Sequence, residues 1–579
     1  LAENTRYVYT IEAFPDPFAT WRDELEKKAA AGLDVSSELL EGRALVAEAA
    51  DRAGDDRPFL ERYLSDLAAV PSQDSAVALA LSEDLAELMH RHRSREGGRF
   101  YDRELTVVVD RVIARFAAWY ELFPRSAGRV PNQSGTFDDV INRLPEIERM
   151  GFNVLYFTPI HPIGRTNRKG KNNTLRGGPD DPGVPYAIGN ELGGHDAIEP
   201  SLGTLKDFRR LVAQAREHGM EVALDVAIQA SPDHPWAREH PDWFFMRPDG
   251  TIKYAENPPK KYEDVYPVNF ASPDWRGLWE EMRRIVMHWI DQGVTHFRVD
   301  NPHTKPTIFW EWLIAEVQRT HPETVFLSEA FTRPKVMKAL AKAGFTQSYT
   351  YFTWRNFKQE ITDYLTELTQ TEMKEYFRGN LFVNTHDILP VILQEGGRPA
   401  FKFRVALAAT LTSVYGVYSG YELCEATPVP GKEEYLNSEK YEYKVWDWDR
   451  PGNIKDYVAT VNQIRREHPA LQEYDNLRFY RADDDNVLCY GKATPDRSDV
   501  VIVVVNLDPF QSHETWIHFP INDFGIADGE QYRATELITG ESFIWTGGSH
   551  HLRLDPHHEP ALIFSLRRWS HVDYVETCY

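Results

Sequence analysis

The chain has 579 residues, 65 basic and 88 acidic, for a formal charge of −23. That length exceeds what one hydrophobic core supports and predicts several domains, and the charge has the wrong sign for gripping nucleic acid or an anionic membrane surface. Cys424, Cys489 and Cys578 lie far apart without CxxC spacing, which argues against a disulfide framework or a zinc site and points to a reducing, cytoplasmic setting. No stretch approaches the roughly 20 apolar residues of a membrane span, and the start, LAENTRYVYT, lacks the charged-then-apolar pattern of a secretory signal.

Taken in chain order, Arg6 to Ala13 reads as a strand with no partner before it. Residues 1–17 are therefore expected to be the remnant of an N-terminal β-domain, in a sequence trimmed at its start. Residues 18–100 turn helical: TWRDELEKKAAAG, SELLEGRALVAEAADRAG, PFLERYLSDLAAV and AVALALSEDLAELMHRHR carry apolar residues at three- and four-residue spacing, as a helical insert would. From residue 101 to 469 short apolar runs alternate with amphipathic helices, the signature of β/α units. Eight runs read as strands: AAWYELFP, NVLYFTP, MEVALDV, THFRVD, TVFLSE, TQSYTYF, LFVNTH and SVYGVYSG. Helical stretches such as FDDVINRLPEIERMG, LKDFRRLVAQAREHG, WRGLWEEMRRIVMHWIDQG and PTIFWEWLIAEVQRT lie between them, several closing on Gly where a C-cap belongs. The count predicts a (β/α)8 TIM barrel. Two connections, 160–200 and 228–273, are too long for bare turns, and long loops after barrel strands are where substrate sites are built. Residues 470–579 return to short strands (NVLCYGKA, DVVIVVVNL, ALIFSLR) and predict a C-terminal β-sandwich.

Asp225, Asp300, Glu329 and Asp387 each fall at or just past the C-terminal end of a predicted strand, the end where barrel enzymes place catalysis. A single such carboxylate reads equally well as a helix cap; four together do not. Retaining glycoside chemistry needs an ionised carboxylate and a protonated carboxyl group roughly 5–5.5 Å apart, a distance that neighbouring strands supply. Asp300 suits the nucleophile, because Arg298, two residues earlier, points to the same side and holds it ionised. Glu329 suits the acid/base, its apolar approach TVFLSEAF raising its pKa. Asp387, beside His386, suits transition-state binding of sugar hydroxyls. Nothing in the pattern calls for a metal or a cofactor.

FRVDNP, FLSEAF and FVNTHD, in that order at strand ends, resemble three conserved regions of the α-amylase superfamily, and LDVAIQ resembles a fourth. The resemblance spans 117–469 and implies the same roles for Asp300, Glu329 and Asp387. Hydrolases of that superfamily usually carry Asn-His where this chain has Gln229-Ala230. PIHPIGRTNRKGKNNT, ENPPKKYEDVYPVNF, VDNPHTKP, SYTYFTWRN and NSEKYEYK narrow the resemblance to bacterial maltosyltransferases that move maltose from α-maltose 1-phosphate to the non-reducing end of an α-1,4-glucan, and that form homodimers. Carried over by motif, the donor-binding residues are Lys169, Gln229, Asp264, Asn301, Lys440 and Tyr441, with Lys260 and Tyr262 in second rank. A sugar phosphate brings between one and two negative charges near neutral pH, so cations are required, and Lys169 and Lys260 lie in the two long loops. Lys169, Gln229 and Asn301 are expected near the leaving phosphate. An α-glucan hydrolase or transglycosylase using non-phosphorylated donors is the alternative enzyme, and a barrel that binds glycans without catalysis is the alternative outside enzymes.

Overall fold

The computed structural model describes residues 3–257 and 260–568, without the side chains of Asn257 and Lys260. The chain divides into two compact units, 1–109 and 110–579.

The first unit is mainly helical, with helices Pro17–Ala30, Ser36–Arg52, Arg57–Ala69, Gln73–Ala80 and Glu83–Arg91. Their apolar stripes meet in one core that includes Trp21, Leu25, Val46, Leu60, Leu85 and Met89. Gly42 allows the close approach: a Cβ there would lie 2.0 Å from the ring of Trp21. AVALALSEDLAELMHRHR, read as one helix, is two. Ser82 leaves helical geometry at ψ 143°, and Glu83 and Asp84 open a new first turn, where acidic side chains are favourable. The strand near the start does have a partner, but a later one: Arg6–Tyr9 pairs antiparallel with Leu105–Val108, and Glu12–Ala13 with Arg99–Phe100. A strand finds its partner by tertiary folding, and sequence adjacency gave no sign of a partner about 100 residues downstream.

The second unit is built on a closed barrel of eight parallel strands: β1 (Ala117–Leu122), β2 (Val154–Phe157), β3 (Glu221–Val226), β4 (His296–Asp300), β5 (Val325–Glu329), β6 (Gln347–Tyr349), β7 (Gly379–Phe382) and β8 (Val414–Tyr418). Each lies within one of the eight apolar runs or overlaps it. Side chains alternate across a strand, so Trp119, Tyr156, Ala223, Leu327, Tyr349 and Phe382 fill the barrel interior, whereas Tyr120, Leu155, Leu224 and Phe326 pack outward under the helices. Capping boxes start two of those helices, Thr136 with Asp139 and Thr204 with Asp207, each satisfying two otherwise orphaned N–H groups. Gly219 and Gly293 take positive φ just past helix ends, the left-handed step that only Gly makes without strain. FDDVINRLPEIERMG splits into Phe137–Ile141 and Leu144–Arg149, because Pro145 lacks the N–H that a continuous helix needs.

Eight antiparallel strands between Arg478 and Arg568 form a single hydrogen-bonded sheet. The sheet folds over, so that Ile517, Tyr532, Leu554 and Phe564 share one core with Ile502 and Val504. The run Val500–Asn506 is buried throughout: Val501, Val503 and Val505 face the barrel's helical layer, and Ile502 and Val504 face that second core. Among the described residues no helix is long and apolar enough to cross a membrane.

Candidate active site

The four carboxylates converge at the C-terminal mouth of the barrel. Asp300 and Glu329 are register partners at the ends of β4 and β5; adjacent strands lie about 4.8 Å apart, close to the roughly 5–5.5 Å that retaining chemistry uses. Arg298, 1% exposed, joins them. Its Nη1 lies 3.0 Å from Asp300 Oδ1 and 2.9 Å from Asp225 Oδ2, and its Nη2 lies 2.9 Å from Glu329 Oε1. The Arg298 contact foreseen for Asp300 alone is thus shared among three carboxylates, which a planar fork of five donors can serve at once.

The environments of the carboxylates differ. Burial raises Glu329 to about 7, against the opposing pull of Arg298 and with the help of Asp300 and Asp387, so near neutral pH a large fraction of the group carries a proton to give, where an ordinary carboxyl carries almost none. The backbone N–H of Asn301 donates to Glu329 Oε2 at 3.1 Å. Asn301 reaches that position in a left-handed conformation, φ 43° and ψ 54°, which Asn tolerates better than most residues. Asp225 is buried and raised by burial, and its Oδ2 accepts from Tyr156 Oη at 2.6 Å and Tyr186 Oη at 2.7 Å.

Asp387 opens to the cleft. Its Oδ2 lies 3.0 Å from His386 Nε2, and Lys440 Nζ donates to its Oδ1 at 2.6 Å. Desolvation works against its charge, but His386 and Lys440 outweigh it and hold the carboxyl well below the usual range. Behind His386, the buried Glu121 of β1 accepts from Nδ1. Burial alone would lower His386; Asp387 and Glu121 instead raise it to about 10.

The loop after β2 contributes Tyr186, whose ring stacks on His386 at 5.3 Å between centroids and lies 5.0 Å from Lys440 Nζ. Gln229 Nε2 donates to the Tyr186 carbonyl at 3.0 Å, and Tyr441 packs on the same small cluster. Lys169 is buried, donates to Asn173 Oδ1 at 2.7 Å and sits 4.6 Å from the Tyr262 ring. Asp264 is raised by burial, with Lys169 and Lys440 pulling the other way, and its buried Oδ1 has no partner among the described residues. Lys169, Tyr262, Asp264, Lys440 and Tyr441 therefore gather on the Asp387 side, and Asn301 on the Glu329 side. Lys260 lies on a short strand paired with Ala255–Asn257; its side chain is outside the described residues.

Sequence reasoning did not single out Tyr156, Tyr186 or Glu121. Tyr156 and Glu121 sit inside apolar strand runs, where alternation signals only a barrel-facing position, and Tyr186 is one of many loop aromatics. A Glu in a strand buried at every position was the one legible sign.

Three family models match this chain: "Alpha-1,4-glucan:maltose-1-phosphate maltosyltransferase, domain N/S" over residues 1–111, "Alpha amylase, catalytic domain" over 120–305, and "GLGE, C-terminal" over 479–566. The α-1,4-glucan:maltose-1-phosphate maltosyltransferase of Myxococcus xanthus is 53% identical over 585 residues, covering 100% of this chain and 88% of the relative. The chain belongs to the α-1,4-glucan:maltose-1-phosphate maltosyltransferase family. The Pseudomonas aeruginosa member is 52% identical over 569 residues, covering 97% of this chain and 85% of its own. Among solved structures, a maltogenic α-amylase from Thermotoga neapolitana superposes with a TM-score of 0.63 at 20% identity, covering 79% of this chain and all of that one. An α-amylase from Lactobacillus plantarum gives 0.58 at 21%, with the same coverage. Those two likenesses show the barrel fold, whereas the maltosyltransferase relatives span essentially the whole chain.

Proposed function

We propose that the enzyme transfers maltosyl units, with retention, from α-maltose 1-phosphate to the non-reducing end of an α-1,4-glucan. The observation that carries this is the pair of carboxyl groups on one guanidinium, Asp300 bound at Nη1 and Glu329 at Nη2, with Glu329 raised to about 7. Asp300 attacks the anomeric carbon and forms an ester bond as the bond to the phosphate oxygen breaks; that oxygen leaves with the electron pair and takes the proton of Glu329. The acceptor hydroxyl then gives its proton to Glu329 and attacks the same carbon, and the ester bond breaks to restore the Asp300 carboxylate. Each step inverts the carbon, so the product keeps the donor's configuration. Asp387, braced by His386 and Lys440, holds hydroxyls of the reacting sugar, and Lys169, Gln229, Asp264, Asn301, Tyr441, Lys260 and Tyr262 complete the donor site. Support comes from the family membership and from Gln229, whose amide fastens the Tyr186 loop where hydrolases of the superfamily place Asn-His.

The test is incubation with α-maltose 1-phosphate and a short maltooligosaccharide, following phosphate and chain length together. Equimolar phosphate release and extension by two glucose units are expected; shortening of the glucan without phosphate release overturns the reading in favour of a hydrolase or transglycosylase. We further propose a cytoplasmic homodimer, assembled through the unit 1–109, which leaves Leu33, Leu40, Phe59 and Phe100 exposed.

A further inference from the structure

Arg125, Arg404 and Arg465 are buried guanidiniums whose hydrogen bonds go chiefly to backbone carbonyls. Arg404 holds Phe352 and Arg355, within one short turn, and Arg465 holds Ala117 and Ser413, where β1 and β8 begin. Arg125 differs in what it joins. Its Nε and Nη2 donate to the Glu439 carbonyl at 2.9 and 2.6 Å, and its Nη1 donates to the Gly183 carbonyl at 2.9 Å. Gly183 belongs to the loop after β2 and Glu439 to the loop after β8. Those loops carry the side chains that grip the Asp387–His386 pair: Lys440, the residue after Glu439, is bound to Asp387, and Tyr186, three residues after Gly183, is stacked on His386.

The position of Arg125 is itself fixed. It lies in the single turn Pro124–Ser126 directly after β1, where Ser126 N donates to the Phe123 carbonyl at 3.0 Å and the Arg125 carbonyl accepts from Gly135 N at 2.7 Å. Ser126 Oγ accepts from Lys444 N at 3.1 Å, so the turn holds the loop after β8 at two points. Burial disfavours the Arg125 charge and lowers its pKa to about 10, with Tyr443, Glu439 and Glu199 opposing. The carboxylates nearby are engaged elsewhere: Glu439 accepts from Tyr418 Oη, and Glu199 accepts from the backbone N–H groups of Ile163 and Ser201. A buried cation held by carbonyl oxygens rather than by a carboxylate is a poor way to stabilise a fold, because an apolar side chain avoids the cost of taking the charge out of water. What the guanidinium adds is a planar fork that takes one carbonyl with two donors and reaches a second carbonyl with another.

Resting on the transfer reading above, we propose that Arg125 is a positioning residue for the reaction: it sets the separation of the loops after β2 and β8, and so holds Lys440 on Asp387 and Tyr186 on His386. Its donors are engaged by the two carbonyls, so it acts through the loops and not on the sugar. The two loops also meet beyond the clamp. Lys440 Nζ lies 5.0 Å from the Tyr186 ring, and Tyr186 Oη donates to Asp225 Oδ2 at 2.7 Å. A shift of either loop therefore disturbs the grip on Asp387 and His386, and a shift of the loop after β2 disturbs Asp225 as well. A displacement of about 1 Å in a catalytic group is enough to cost on the order of 10²-fold in rate.

The experiment compares kcat/KM for α-maltose 1-phosphate in wild type, Arg125→Lys, Arg125→Met and Lys440→Ala, and in each Arg125 variant combined with Lys440→Ala, at a temperature well below the melting midpoint of every protein assayed. Arg125→Lys keeps the charge and loses the fork. Both Arg125 variants are expected to lose about 10–10²-fold in the otherwise wild-type chain. In the Lys440→Ala background the same substitutions should cost less than about fivefold, because the ammonium that Arg125 places is then absent. A side chain that merely stabilises the fold gives equal factors in the two backgrounds, since independent effects add in free energy. Wild-type kcat/KM in Arg125→Lys, or equal factors with and without Lys440, overturns the assignment and leaves the transfer reading standing. If Arg125→Met does not fold, Arg125→Lys decides alone, by the same two outcomes. A wild type that does not turn over the donor overturns the transfer reading itself, and this assignment with it.

Discussion

Glu121→Gln removes one charge from the interior of the barrel while keeping the shape and an acceptor oxygen. Glu121 is fully buried, one oxygen accepts from His386 Nδ1, and the other has no hydrogen-bond partner among the described residues. Burial works against a charged His386; Asp387 and Glu121 overcome it and raise the ring from 6.5 to about 10. At roughly 1.4 kcal/mol per pH unit, that net span corresponds to about 5 kcal/mol, which the two carboxylates supply together over and above offsetting the burial penalty. The sign follows from linkage: a folded-state pKa above the unfolded one contributes stability that is complete below about pH 6.5 and disappears as pH rises towards 10. Gln keeps a neutral hydrogen bond in place of a charge-assisted one, so Glu121→Gln should cost about 1.5–3 kcal/mol at pH 6. By pH 10 the wild-type ring is losing its charge and the difference should shrink by at least about half. Urea denaturation of both proteins at pH 6, 8 and 10 measures this directly. The kcat should fall as well, because His386 orients Asp387. A stability difference of the same size at pH 6 and pH 10, or none at either, would refute an ionic Glu121–His386–Asp387 chain.

Asp300→Ala should abolish transfer with folding intact, since no ester can form; normal turnover would remove Asp300 from the role. Glu329→Ala should accumulate an adduct one maltosyl unit heavier by intact-protein mass, because phosphate departs with less acid help than a sugar alkoxide needs, while the second step lacks its base; equal loss of both steps with no adduct counts against this division. His161, His195 and His234 are buried together and lowered by burial to about 3, 4 and 2. Folded values below the unfolded 6.5 mean that stability is complete above about pH 6.5 and falls below it, by roughly 2 kcal/mol for each ring down to pH 5; a melting temperature unchanged from pH 7 to pH 5 would show that the rings do not stay neutral. Light scattering at micromolar concentration should give a dimer, and a monomer would refute the proposed assembly.

How much of this was legible depends on the range over which each feature is determined. The eight strands were readable because each is a short run buried on both faces and bounded by turn residues, so the evidence for it lies within about eight residues. The convergence of Asp225, Asp300, Glu329 and Asp387 was readable because four strand-end carboxylates occur together, although any one of them alone reads equally well as a helix cap. What escaped depends on contacts between distant segments. The pairing of Arg6–Tyr9 with Leu105–Val108 and the placement of Tyr186 on His386 each join segments separated by about 100 to 200 residues. The left-handed step at Asn301 escaped for the same reason: it sets the Asn301 N–H on Glu329 Oε2, a contact with the neighbouring strand 28 residues away.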